Sequence, residues 1–323
     1  MLSENGGRTM PLKRLILILS GMAVFFLAAG CGVKTEPNLS LEDPLESVVE
    51  EENPDAFQEE EEEEDAPDLS AEEEEEMDPE DEMTEEEHIQ LLKNTYGDRE
   101  VTVFGENIDG VMTGIRTDEK IAALTFDACG GPHGSAFDED LITYLMKERI
   151  PATLFINGRW IEENKEIMEM LSQHELFDIE NHGYGHKPLS MDGRSAYGIR
   201  GTEGIEEVFQ EIMKNQQLIL SHTGRTPRYF RSGTAFYDDV ALEILKELNL
   251  KAVNYDVLGD AGATFNKEQM VRSARGVKPG SIFLYHMNHP NKEIGEGIKQ
   301  VIPMLREMGY DFVKLSDYDD SLK

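Results

Sequence analysis

From residue 120 to 314 the chain repeats one pattern: a short apolar run, a polar turn, then a stretch with apolar residues on one helical face. This alternation limits the fold more than anything else in the sequence. Strands separated by helix-length connections pair in parallel, and the helices cover the sheet. KIAALTF at 120–126 and the runs at 152–156, 176–180, 229–231, 251–255, 281–284 and 312–314 read as strands. Residues 138–148, 162–171, 204–221, 239–248 and 298–308 carry helical spacing. In 204–221, Ile205, Val208, Phe209, Ile212 and Met213 fall on one face. About 200 residues in some seven such units predict a (β/α) barrel rather than an open sheet. Upstream, apolar runs at 101–104 and 111–115 flank GENIDG and predict an N-terminal hairpin within 99–118.

The first third of the chain has a different character. Residues 35–88 hold 28 Asp or Glu and no Lys or Arg, out of a formal net charge of −36. Such a segment repels itself and cannot bury enough apolar surface to offset chain entropy. Residues 31–98 are therefore expected to form an acidic, disordered linker, with 85–93 beginning a short helix at its end. A chain this acidic lacks the positive surface that nucleic acid requires. Before the linker, Arg8, Lys13 and Arg14 precede an uncharged run that ends in LAAGC. Residues 1–30 read as a secretory signal, and Leu27 to Cys31 resemble a bacterial lipoprotein signal, with Cys31 as the lipid anchor. The other reading is an uncleaved transmembrane anchor, since the run approaches the ~20 residues needed to span a bilayer. Both readings put the remainder outside the cytoplasm, on the extracytoplasmic face of the membrane. The chain has two cysteines. If Cys31 carries lipid, Cys129 has no disulfide partner within the mature chain.

The chemistry-bearing residues cluster at strand ends. His182 and His186 follow the strand at 176–180, four residues apart, with Gly183 and Gly185 between them. Two glycines disfavour a helix and point to a tight turn. Two neutral imidazoles on one turn can reach a single ion, although the same pair also suits an ordinary polar loop. Asp127 follows KIAALTF, Arg231 follows RYF, Asp260 follows NYDVLG and His286 follows SIFLY. In a parallel barrel all of these lie on the C-terminal rim. Each alone has an ordinary structural explanation, but together they make a candidate site.

The segments LTFDACGG, PATLFINGRW, FDIENHGYGHKPLS, YFRSGTAFYDD, NYDVLGD, GSIFLYH and GYDFVKLSD occur here in order. In these segments the domain at 119–318 resembles the polysaccharide deacetylases of carbohydrate esterase family 4, the NodB homology domain. The resemblance implies a distorted (β/α) barrel of about seven parallel strands. It also implies removal of acetyl groups from a polysaccharide, with N-acetylglucosamine polymers such as peptidoglycan expected first, and a bound divalent metal, zinc foremost. By the same resemblance Asp127 is the general base, His182 and His186 are metal ligands, and Arg231 holds the base. His286 is the general acid, with Asp260 beside it. The second Asp of the family's first motif, a metal ligand, is Ala128 here. Asp127 itself, Cys129, His133 or Asp138 could take its place. The family's Arg-Pro-Pro-Tyr-Gly is Arg231-Ser-Gly-Thr-Ala235. A non-catalytic, glycan-binding lipoprotein on the same scaffold is the alternative, and Cys129 as a nucleophile ranks behind both. A monomer is expected.

Overall fold

A computed structural model describes residues 83–323. The signal, Cys31 and most of the acidic linker lie outside these residues. Within them, α1 (Glu85–Tyr96) and β1 (Phe104–Gly105) lead into β2 (Ile121–Ala128), α2 (Glu139–Lys147) and β3 (Ala152–Ile156). Then come α3 (Gly158–Glu163), α4 (Lys165–Ser172), β4 (Phe177–Asn181) and α5 (Gly204–Thr223). β5 (Tyr229–Phe230), β6 (Tyr237–Asp238), α6 (Asp239–Glu247), β7 (Lys251–Ala252) and β8 (Val257–Leu258) follow. The chain closes with α7 (Lys267–Ala274), β9 (Ser281–His286), α8 (Ile294–Glu307), β10 (Asp311–Val313) and a 3-10 turn at Leu315–Ser321.

The main sheet runs β7-β5-β4-β3-β2-β9-β8, and β10 pairs with the first half of β2. Every pairing in it is parallel. Only Val253 to Asp256 separate the two edge strands β7 and β8. Four extended residues reach ~17 Å at most across that gap, so the sheet must curl into a half-barrel. Central β2 is buried at all eight positions, as a strand covered on both faces should be. Its side chains divide with period two. Ala122, Leu124, Phe126 and Ala128 face the helix layer, where they join a core that includes Leu141, Leu145, Ile298 and Val301. Ile121 and Ala123 face the barrel interior with Phe155, Tyr229, Val253 and Ile282.

Local signals set the helix ends. Asp138, Asn157, Asp238 and Asn266 cap α2, α3, α6 and α7 through their side chains. Gly224 ends α5 at φ 65°. The helix expected at 162–171 is two helices. Asn164, at φ −129° and ψ 40°, breaks it, and its side-chain amide donates to the carbonyls of Ser135 and Trp160.

Two sequence expectations are corrected. First, residues 101–115 do not form a hairpin. Phe104 and Gly105 pair antiparallel with Asp238 and Tyr237, whereas Met112 bridges Val253 in parallel. Met112 N–H donates to Ala252 O (2.9 Å), and Asn254 N–H donates to Met112 O (2.7 Å). A lone two-stranded hairpin is marginal in water, and the backbone groups between the sheet edges offer these residues better partners. Second, the linker expected at 31–98 stops short of residue 98, and the helix expected to begin within 85–93 is α1. Thr84 and Glu87 form a capping box that starts α1, and Leu92 and Tyr96 bury themselves in the core beneath α5 and α6.

Glu180 on β4 is 4% exposed. Its Oε2 accepts the N–H groups of Arg228 and Tyr229, both at 2.8 Å. Burial outweighs these bonds and pushes the carboxyl up to about 8. The unfolded chain loses this proton near the ordinary carboxylate pKa of 4.5, but the folded chain keeps it until about pH 8. The contribution to stability is therefore complete below pH 4.5 and is lost as pH rises toward 8. Glu180→Gln keeps an acceptor and cannot titrate. Its melting temperature should exceed that of wild type by a margin that widens between pH 5 and pH 8. An equal margin at both pH values would contradict this account.

Candidate active site

Strand ends deliver the site. Asp127 on β2 is the register partner of His286, the last residue of β9. His182 directly follows β4 and Arg231 directly follows β5. The parallel ladder continues one step past these ends: Met287 N–H donates to Asp127 O, His182 N–H to Ile156 O, and Arg231 N–H to Asn181 O. Backbone pairing thus fixes the bases of the side chains before the side chains interact.

Arg231 is fully buried. It donates from Nε to Val253 O (3.0 Å), from Nη1 to Thr125 Oγ1 (2.8 Å) and Asp127 Oδ1 (2.7 Å), and from Nη2 to Asn254 O (3.0 Å). Its guanidinium lies over the Phe155 ring, 4.1 Å from the centroid. Asp127 Oδ2 is left facing His182 Nε2 at 3.6 Å. His182 is 1% exposed. Its Nδ1 lies 2.9 Å from Arg231 O, a carbonyl that can only accept, so the proton sits on Nδ1 and the Nε2 lone pair turns inward. Burial pushes this imidazole toward neutrality, but the Asp127 charge and the Cys129 sulfur outweigh it and raise its pKa.

The opposite wall is His286 with Asp260. The His286 Nδ1–H donates to Asp260 Oδ1 (2.9 Å), and the His286 backbone N–H donates to Asp260 Oδ2 (2.7 Å). Burial opposes protonation of His286, yet the Asp260 carboxylate overcomes it and holds the pKa well above 6.5.

Ala128 points into the helix-side core, on the face of β2 opposite Asp127. Cys129 returns to the site side, its sulfur 3.9 Å from His182 Nε2. Among the described residues, Cys129, His182 and His186 form the group whose donor atoms all lie within 4.8 Å of one another. Asp127, expected as both base and metal ligand, is not in that group; its Oδ1 is held by Arg231, and its Oδ2 faces His182 Nε2. The remaining candidates for the missing ligand are elsewhere: His133 is exposed and Asp138 caps α2 through the Leu141 N–H. Burial pushes the Cys129 thiol up, but the surrounding imidazoles of His186, His182 and His286 bring it well below the usual thiol range.

The His182–His186 turn has supports that sequence reasoning missed. Buried Glu211 on α5 accepts the N–H groups of Gly185 (2.7 Å) and Lys187 (3.0 Å). Asn157 Nδ2 donates to Gly183 O (2.6 Å). A Cβ on Gly183 would sit 2.4 Å from Glu211 Oε1, so only glycine admits the carboxylate. A Cβ on Gly233 would sit 2.3 Å from the His186 backbone. His186 itself holds φ 60°, an uncommon conformation for a non-glycine residue. Ala235, where the resemblance has Gly, also takes a left-handed φ of 61°. The signal for Glu211 was present: it is an acid on the apolar face of α5, one residue before Ile212. Trp160, the sole Trp, is buried and donates to Ala136 O, so it is no sugar platform.

The parallel half-barrel is the fold seen in solved family 4 carbohydrate esterases. Residues 114–253 match the family model for polysaccharide deacetylase. A structure of a family 4 carbohydrate esterase from Bacillus anthracis superposes with TM-score 0.53 at 23% identity, covering 69% of this chain and 100% of that one. A pseudoenzyme of the same family from Bacillus anthracis gives 0.53 at 22% identity, covering 66% and 69%. The peptidoglycan-N-acetylglucosamine deacetylase of Listeria monocytogenes is 24% identical over 210 residues, which is 64% of this chain but 41% of that protein. The chain thus spans about two fifths of the length of this curated relative.

Proposed function

We propose that this chain is an extracytoplasmic, membrane-tethered, metal-dependent deacetylase that hydrolyses N-acetyl groups of an N-acetylglucosamine polymer. The observation that carries the reading is the pairing of Asp127 and His286 on neighbouring strand ends, each locked by a buried partner of opposite charge, Arg231 or Asp260. The inward Nε2 of His182 and the Nε2 of His186, buried without a protein partner among the described residues, suit a divalent ion. The chemistry such an ion supplies is polarisation of the acetyl carbonyl and a lower pKa for the attacking water. Asp127 Oδ2 takes the water proton as oxygen adds to the carbonyl carbon. His286 Nε2 gives its proton to the sugar nitrogen as the C–N bond breaks, leaving acetate and a free amine. Arg231 holds the Asp127 carboxylate in place through its Nη1–H.

Acetate release from N-acetylglucosamine oligomers and peptidoglycan tests this reading. We expect release by the full chain, loss with a chelator, and recovery with Zn²⁺ or Co²⁺. Ala128 in place of the usual Asp favours a second reading, a glycan-binding scaffold without catalysis. Absence of release with every metal and glycan would select it. The tether through Cys31 predicts fatty-acid labelling of wild type and none of Cys31→Ala. Equal labelling of both would remove it. Among the described residues no helix is long and apolar enough to cross a membrane.

A further inference from the structure

We infer that Cys129 is the third protein ligand of the metal, so that the centre is a thiolate–bis-imidazole site. The inference rests on the reading of this site as a metal-dependent deacetylase centre. Three observations meet at one point. The ligand atoms of Cys129, His182 and His186 lie within 4.8 Å of one another, against the roughly 3.3–3.6 Å between ligands around tetrahedral zinc with bonds of about 2.0–2.3 Å. His182 spends its Nδ1–H on Arg231 O, so Nε2 keeps a lone pair on the side of the Cys129 sulfur, 3.9 Å away. His186 Nε2 is buried and has no hydrogen-bond partner among the described residues, a state that costs free energy unless something binds there.

The strand explains why the donor is at 129. On β2 successive side chains alternate faces. Asp127 faces the site and is held by Arg231. Ala128 faces the helix core. Cys129 is the next residue on the site side, at the first step beyond the strand, where Gly130 and Gly131 at φ 68° and 77° turn the chain away. The donor thus stands one residue after the position where the resemblance has a carboxylate, on the face of β2 that looks into the site. This donor changes what the centre selects. A sulfur donor with two imidazoles favours Zn²⁺ and Co²⁺ over the hard ions Mg²⁺, Ca²⁺ and Mn²⁺. It also frees Asp127 from ligand duty, so its carboxylate remains available as a base.

Cobalt reports the ligand directly, because a thiolate bound to Co²⁺ gives an intense near-ultraviolet charge-transfer band. The full chain carrying Cys31→Ser holds one thiol, since the sequence has two cysteines. Stripped of metal and titrated with Co²⁺, it should develop the band at one equivalent. Cys129→Ser and Cys129→Ala should lose the band, with affinity for Co²⁺ falling on the order of 100-fold. His286→Ala should retain both. If the Cys129 variants fail to fold, the spectrum of the Cys31→Ser chain alone decides. Co²⁺ binding and metal-dependent acetate release without the band would overturn Cys129 as a ligand and leave the deacetylase reading standing. The band without acetate release would establish the ligand and overturn the deacetylase reading. Absence of any Co²⁺ or Zn²⁺ binding would overturn both.

Discussion

His182→Ala should remove bound metal and acetate release together, whereas His286→Ala should remove release and leave the metal in place. The two histidines stand on opposite walls of one site and differ in what holds them. His182 gives its Nδ1–H to Arg231 O and turns Nε2 toward Cys129 and Asp127. His286 gives its Nδ1–H to Asp260, which orients it for the proton-donor role proposed above. Loss of a general acid costs typically 10²–10⁴-fold in rate, and His286→Ala should fall in that range with its metal content unchanged. Asp260→Asn separates protonation from position. Burial drives His286 toward the neutral form, and Asp260 reverses this, so the imidazolium persists well above pH 6.5. A rate that needs imidazolium is complete below that raised pKa and is lost as pH rises through it. Without the Asp260 charge, the alkaline limb of kcat should move to lower pH. Metal content after dialysis and a pH–rate profile check all three variants. Full activity in His182→Ala would show that the metal role assigned to this side chain is wrong.

How much of this was legible beforehand follows from where each residue sits. Asp127, Arg231, Asp260 and His286 were placed on one rim because each follows a short apolar run, and parallel strands present their C-terminal ends together. The structure brings all four there, with His182. The ligand set was less legible. Sequence spacing shows that Ala128 lacks a donor, but not that the strand turns after Cys129 and swings its sulfur between the imidazoles. Face assignment past the last paired residue depends on the turn at Gly130 and Gly131, not on periodicity. Glu211 was missed for a different reason. A helical acid next to Ile212 reads as a surface residue until the Gly185 and Lys187 N–H groups arrive from 26 and 24 positions upstream. The expected hairpin failed because local pattern cannot show that Met112 will find Ala252 and Asn254. The short strand β8 and the weakly apolar helix α7 carried too little periodicity to be read at all.

Arg231→Met should destabilise the domain by about 3–5 kcal/mol, the usual cost of removing one partner of a buried ion pair. For a domain of this size that is a fall in melting temperature of roughly 6–20 °C. The side chain is fully buried, and four groups accept from it: Val253 O, Asn254 O, Thr125 Oγ1 and Asp127 Oδ1. Methionine fills much of the volume but leaves these acceptors unpaired and Asp127 charged in a buried site. Lysine should rescue little. Its compact ammonium has three donors and cannot reproduce the planar fork that reaches four acceptors on β2 and just past β7. The charge component can be isolated. Asp127→Asn in the Arg231→Met background should recover part of the lost stability, because the uncompensated carboxylate is gone, whereas Asp127→Asn in wild type should not stabilise. Thermal melts of the four proteins close the cycle. If Arg231→Met melts with wild type, or if the two substitutions add with no coupling, the buried pair is not what ties β2 to β5 and holds the base in place.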